Sequence, residues 1–211
     1  MPETTSTPWP DFRRDLVAIV RGVRPDEAVA IGEALAQAGF EAIEVPLNSP
    51  EPLKSIEALR RALPESVLVG AGTVLEAEQV DAVKDVGGGL IVSPNCDVQV
   101  ISRSAHLGLV SLPGVFTATE AFAALKHGAS ALKFFPAFNL GPDGIKALTA
   151  VLPKETVIAA VGGVADGDFA AYRKAGTRAF GLGSSLYKPG YSAEEVAKRA
   201  HAAVAAYDAL S

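Results

Sequence analysis

A single parallel (β/α)8 barrel of the α/β class, a TIM barrel, is the fold this sequence predicts, and three observations carry it. Short apolar runs rich in β-branched residues recur eight times, at about 16–20, 41–45, 67–71, 89–92, 109–112, 130–134, 156–161 and 178–182. Amphipathic stretches of helical period separate successive runs, as a strand-helix alternation requires. Eight such units in about 200 residues sit at the short end of the size range for a closed barrel. An open doubly wound sheet would use fewer strands, and no Gly-x-Gly-x-x-Gly follows the first run to mark a dinucleotide site.

The intervening stretches carry their own boundary signals. Between Pro25 and Ala38, the residues Ala28, Ile31, Leu35 and Ala38 recur at helical spacing, opposite Asp26, Glu33 and Gln37. Arg24-Pro25 and Ser49-Pro50 place proline at a first helical position, and Thr73-x-x-Glu76 and Thr117-x-x-Glu120 read as capping boxes. Gly39, Gly128 and Gly176 each stand just past a helix and before the next strand, where a left-handed terminal conformation is preferred.

Length and composition fit one body. With 211 residues and 49% hydrophobic content, the chain can bury a sizeable core, and the expected division is an N-terminal arm over 1–12 and a barrel over 13–211. The 14 prolines and 20 glycines lie at the ends of apolar runs, as punctuation between elements rather than as a linker. Met1 to Asp11 is rich in threonine, proline and acid and has no apolar centre, so it reads as a loose arm, neither signal peptide nor membrane span. Trp9 and Phe12 are expected to tuck that arm against the core.

A formal charge of −5, without a clustered basic stripe, argues against nucleic-acid partners. Any anion is then bound locally. The single cysteine, Cys96, excludes an intrachain disulfide and fits a reducing compartment, with the cytoplasm as the expected location.

In a barrel, chemistry gathers where strands end and loops begin. In chain order the strand ends carry Arg21-Gly22, Glu44-Val45-Pro46, Gly70-Ala71-Gly72-Thr73, Ser93-Pro94-Asn95, Leu112-Pro113-Gly114, Lys133, Val161-Gly162-Gly163 and Gly183-Ser184-Ser185. One carboxylate, one lysine, one arginine, hydroxyls and glycine-rich backbone suit an anionic carbonyl substrate.

Lys133 is the most unusual of these residues. It sits in the apolar run Ala131-Leu132-Lys133-Phe134-Phe135-Pro136, whereas the other eight lysines fall on polar helix faces or loops. Burial disfavours the ammonium, and a neutral amine is the form that attacks a ketone to make a Schiff base. The alternative is a lysine whose stem packs along the strand and whose head reaches water.

Glu44, in Ala42-Ile43-Glu44-Val45, is the corresponding acid, a proton shuttle or else the partner of Arg21 or Lys133 in a structural ion pair. Arg21 suits a carboxylate or phosphate, the alternative being a rim salt bridge. Gly162-Gly163 and Gly183-Ser184 follow the last two strands, where barrels build phosphate sites from backbone N–H groups; tight turns alone are the alternative. The Thr73 hydroxyl either meets a ligand or caps the next helix. His106, His127 and His201 fall away from the rim and Cys96 has no paired cysteine, so no metal site is expected. No serine is flanked for a hydrolase triad.

Glu44-Val45-Pro46-Leu47-Asn48-Ser49-Pro50, Gly70-Ala71-Gly72-Thr73-Val74, Pro94-Asn95, Pro113-Gly114, Leu132-Lys133-Phe134-Phe135-Pro136 and Val161-Gly162-Gly163-Val164 together resemble the 2-keto-3-deoxy-6-phosphogluconate and phosphogalactonate aldolase family. The likeness covers nearly all of the chain after the first dozen residues. It implies a class I aldolase with neither metal nor cofactor, in which Lys133 matches the Schiff-base lysine and Glu44 the general acid/base. By the same likeness Arg21, Thr73 and Pro94 match substrate-binding positions, and Gly162, Gly163, Gly183 and Ser184 match the phosphate cradle.

The family's gluconate branch carries a basic residue shortly after the glutamate and a hydroxyl residue before the Gly-Gly pair. Here those positions are Asn48 and Val161, which resembles the phosphogalactonate branch and marks both as specificity positions. The implied substrate is a phosphorylated sugar acid cleaved to pyruvate and glyceraldehyde 3-phosphate, in galactonate degradation. A cytoplasmic homotrimer, with no membrane or nucleic-acid partner, is implied with it. Cleavage of the gluconate epimer or of 4-hydroxy-2-oxoglutarate is the alternative within the family. Outside it stand a cofactor-free sugar-phosphate isomerase or epimerase using Glu44, and a noncatalytic phosphosugar-binding barrel.

Overall fold

A computed structural model of the chain describes residues 6–210. Its strands are β1 Leu16–Ile19, β2 Ala42–Pro46, β3 Leu68–Gly72, β4 Leu90–Val92, β5 Val110–Leu112, β6 Gly114–Val115, β7 Leu132–Phe134, β8 Ile158–Val161 and β9 Ala179–Leu182. The helices are α1 Pro25–Ala38, α2 Pro52–Ala62, α3 Ala77–Asp85, α4 Val98–His106, α5 Ala118–Lys126, α6 Ala137–Thr149, α7 Phe169–Lys174 and α8 Ala193–Asp208. All strand pairings are parallel, in the order β5-β4-β3-β2-β1-β9-β8-β7-β6.

Nine strands make eight staves. β5 and β6 stand at the two ends of that order, yet only Pro113 separates them, so they are one stave interrupted where proline lacks an N–H to donate. Closure runs through this stave: the N–H groups of Ala131 and Lys133 donate to the carbonyls of Ser111 and Pro113, at 3.2 and 2.9 Å. The fold is the expected (β/α)8 barrel.

Strand alternation sorts the side chains into two layers. On β1, Leu16 and Ala18 pack outward against the helices, while Val17 and Ile19 pack inside the barrel. The same parity sends Leu132 and Phe134 outward and Ala131 inward, which aims Lys133 into the barrel mouth. Likewise Ile43 and Val45 face the helices and Ala42 faces in, so Glu44 points inward beside it. Trp9 joins the interior cluster, donates from Nε1 to Asp15 Oδ1 at 2.7 Å and meets Phe12 edge-on at 5.7 Å.

Local signals hold at some boundaries and fail at others. Pro25 opens α1, and Gly39 ends it at φ 107°, its N–H bonded to Ala36 and that of Phe40 to Leu35. Thr117 caps α5 reciprocally with Glu120, an arrangement worth about 1 kcal/mol. Two expected starts are displaced. α2 begins at Pro52 rather than Pro50, because Ser49 closes a turn onto Pro46 and Glu51 takes φ 41°. α3 begins at Ala77, where Gln79 Oε1 accepts from the N–H groups of Leu75 and Glu76 at 2.8 and 3.3 Å, which leaves Thr73 outside the helix.

Candidate active site

At the C-terminal ends of the strands lies a cavity of about 530 Å³. Lys133, Glu44, Arg21, Thr73, Pro94, Val161, Gly162, Gly163, Gly183 and Ser184 all line it. Asn48 stands behind them and accepts a hydrogen bond from Arg21 Nη1 at 2.5 Å.

Lys133 is 6% exposed, held in the middle of β7 between Gly114 of β6 and Ala159 of β8. Its Nζ lies 4.6 Å from the centroid of the Phe135 ring, a face that favours a cation but offers it no proton acceptor. Burial lowers the ammonium from 10.5 to about 8; Glu44 opposes that shift and Arg21 adds to it. At pH 7 a far larger share of such an amine is neutral than of an ordinary lysine.

Glu44 is 2% exposed, and its carboxylate forms no hydrogen bond or ion pair among the described residues. The structural ion pair with Arg21 or Lys133 is thus not made in this structure. Desolvation pushes its carboxyl up to about 7, with Lys133 and Arg21 pulling the other way. An acid near neutrality facing an amine near neutrality is a pair able to exchange protons under ordinary conditions. Gly72 makes room for this carboxylate, because a Cβ there would collide with both of its oxygens.

On the neighbouring strand end, Arg21 is spread over two neighbours. Its guanidinium reaches Asn48 and, at 3.4 Å from each terminal nitrogen, the Thr73 hydroxyl. Thr73 takes φ 55°, outside any helix, so its hydroxyl serves the cavity rather than a cap. Ser49 fixes the loop that carries Arg21 by accepting from the Gly22 N–H at 2.9 Å.

The far end of the cavity is backbone. Gly162 and Gly163 take φ 89° and 71°, conformations that L-residues adopt rarely. A Cβ on the first would press on the Phe135 ring, and one on the second on the Phe138 ring. These glycines therefore do make a tight turn, and they also expose main chain to the cavity. After β9, the Gly183 carbonyl accepts from the N–H groups of Leu186 and Tyr187, each at 2.9 Å. The segment is one turn rather than a helix. A Cβ on Gly183 would meet no protein atom within 4 Å.

Phe135, Lys188 and Arg199 also line the cavity and are not among the rim residues that the sequence points to. Phe135 was within reach of strand logic, as the neighbour of Lys133. Arg199 was not, since it comes from the middle of α8 and only the folded chain brings it under the β9 loop. Among the described residues no group of three or more His, Cys, Asp or Glu is placed to hold a metal ion.

Comparison with known proteins follows the same lines. The KDPG and KHG aldolase family matches residues 13–206. A probable 2-dehydro-3-deoxy-6-phosphogalactonate aldolase of Rhizobium meliloti (strain 1021) is 56% identical over 203 residues, 96% of each chain. The 2-dehydro-3-deoxy-6-phosphogalactonate aldolase of Escherichia coli (strain K12) is 50% identical over 192 residues, 91% of this chain and 94% of its own. A solved structure described as native KDPGal superposes with a TM-score of 0.94 at 48% identity, covering 96% of this chain and 98% of that one.

Proposed function

The chain belongs to the KDPG and KHG aldolase family, and from that premise we propose that it cleaves 2-keto-3-deoxy-6-phosphogalactonate to pyruvate and glyceraldehyde 3-phosphate through a Schiff base on Lys133. The observation that carries this reading is the buried Lys133–Glu44 couple at one end of a cavity whose other end is glycine backbone. Neutral Lys133 adds to the C2 ketone. The carbinolamine loses water, with Glu44 moving the protons, and leaves an iminium whose positive charge draws electrons from the C3–C4 bond. Glu44, or a water it holds, takes the C4 hydroxyl proton as that bond breaks. Glyceraldehyde 3-phosphate departs. The remaining enamine is protonated at C3 and hydrolysed, which releases pyruvate and returns the amine.

Orientation comes from the two ends. Arg21 and Thr73 suit the carboxylate side of the substrate, and the Gly162-Gly163 and Gly183-Ser184 backbone suits the phosphate. Val161 presents a methyl surface between them, with no hydrogen-bond donor or acceptor for the C4 hydroxyl that distinguishes the two epimers. Asn48 acts through Arg21. This pattern favours the galactonate epimer and a place in galactonate degradation.

The assembly we infer is a homotrimer. Support comes from the exposed rings of Phe116, Phe122 and Phe138, large apolar side chains that contact with further copies would take out of water. Light scattering is then expected to give three times the 21.7 kDa chain mass. The single cysteine supports a cytoplasmic setting, and no described helix is long and apolar enough to cross a membrane.

Cleavage kinetics with both epimers test the assignment. Pyruvate release is expected from each, with the larger kcat/KM for the galactonate form; a preference for the gluconate form would reassign the substrate, and no release from either would end the aldolase reading.

A further inference from the structure

We propose that Lys188 is a phosphate-binding residue, a mobile ammonium on a fixed root that closes over the substrate phosphate while the glycine backbone holds it from the other side. The proposal rests on the aldolase reading above and adds to it a side-chain cation at the cradle end. Lys188 lines the same cavity as Gly162, Gly163, Gly183 and Ser184. It is exposed and forms no ion pair among the described residues.

The other cations of the cavity are committed. Arg21 is held by the neutral side chains of Asn48 and Thr73, and Lys133 is the buried amine. Arg199 places Nε and Nη2 on Glu195, both at 2.8 Å, donates from Nη1 to the Ser185 carbonyl at 3.2 Å, and lies 4.8 Å from the Tyr191 ring centroid. Its charge is answered, and its role is to brace the loop after β9 from behind. A phosphate dianion set among backbone N–H groups, which supply only partial charges, therefore finds in Lys188 the one cation of the cavity that is neither buried nor held by a hydrogen bond among the described residues.

Its mount is built on both sides. Tyr187 is 3% exposed and donates its hydroxyl to Glu27 Oε1 on α1 at 2.9 Å. Pro189 packs against Gly22, where a Cβ would lie 2.7 Å from Pro189 Cγ, and the Tyr191 N–H closes a turn onto the Lys188 carbonyl at 3.0 Å. The backbone of Lys188 is thus pinned between α1 and the Arg21 loop, with only its four-carbon stem left to move. A lysine binds phosphate as a point charge and needs no fixed fork geometry, which suits a rim position that a ligand has to pass.

The test compares the unmutated protein, Lys188→Met and Lys188→Arg on the phosphorylated sugar acid and on its dephosphorylated analogue, with borohydride trapping of pyruvate alongside. Methionine keeps the stem at an exposed site and removes only the charge. Lys188→Met is expected to raise KM about tenfold or more for the phosphorylated substrate. The loss is confined to that substrate: trapping of pyruvate, which has no phosphate, proceeds at the unmutated rate, and Lys188→Arg recovers most of the KM. Rising salt is expected to weaken the unmutated protein's KM more steeply than that of Lys188→Met. An unchanged ratio of kcat/KM between the two substrates in Lys188→Met, with normal trapping, would overturn this proposal alone. Failure of the unmutated protein to trap pyruvate would overturn the aldolase reading and this proposal with it.

Discussion

Lys133 and Glu44 share one physical predicament: each is an ionisable group on the inward face of a strand whose flanking residues are apolar. Desolvation moves the amine down and the carboxyl up, so both titrate close to neutrality where ordinary side chains of their types would be fully charged. At the other end of the cavity Gly162, Gly163 and Gly183 line it without a side chain. Gly183 offers a clean test of what that absence is for, because a methyl group there meets no protein atom. Gly183→Ala is therefore expected to fold normally and trap pyruvate, yet raise KM for the phosphorylated substrate about tenfold or more by filling ligand space. Unchanged kinetics would remove Gly183 from the cradle. Lys133, Glu44 and the glycine pairs were legible in the sequence because a charge inside an apolar run, or a glycine pair at a strand end, violates the local pattern. Lys188 was not, since an exposed lysine in a loop violates nothing; only the pinned turn between Tyr187 and Pro189 gives it meaning.

Among the elements, the pairing of β2 with β3 does the positioning. Glu44 is level with Gly70 and leans toward Gly72, which is level with Pro46. An alanine at position 72 would drive its methyl into the carboxylate, and the strand pairing on either side leaves the backbone little room to yield. Gly72→Ala is expected to cut kcat at least a hundredfold and to destabilise the fold by about 1–3 kcal/mol. Near-normal turnover with an unchanged melting temperature would show that Glu44 does not occupy that space. Strand positions were readable because apolar runs bounded by glycine and proline are local properties. The starts of α2 and α3 were not: Pro50 and Pro52 both satisfy the rule for a first helical position, and the choice is made by the turn that Ser49 closes onto Pro46 and by Glu51 at φ 41°. Thr73 satisfied a capping pattern that the Gln79 side chain took over. The break of the fifth stave at Pro113 was likewise a matter of one missing N–H.

Across the whole molecule the site is a source of instability. In the unfolded chain Lys133 titrates near 10.5 and in the folded chain near 8, so between those values the unfolded state binds more protons and stability rises with pH. Glu44 is the reverse case. Its folded carboxyl holds a proton up to about 7 against 4.5, so stability falls as pH rises across that window. Near neutrality both shifts work against the fold, and removing the amine should relieve one of them. Lys133→Met is expected to be inactive and more stable at pH 7 by roughly 1–3 kcal/mol, an advantage that fades toward pH 10 as the unfolded lysine also loses its proton. Calorimetric melting across that range checks the sign; a destabilised Lys133→Met at pH 7 would mean that the ammonium is satisfied where it lies.

The claim on which the chemistry depends is that Lys133 captures a ketone as a covalent imine. Incubation with pyruvate and sodium borohydride, followed by peptide mapping and an assay of sugar-acid cleavage, reads it out directly. One three-carbon adduct, on Lys133, is expected, with loss of cleavage in proportion to labelling. A protein that stays unlabelled, is labelled on another lysine, or cleaves its substrate at full rate once Lys133 is blocked would contradict it.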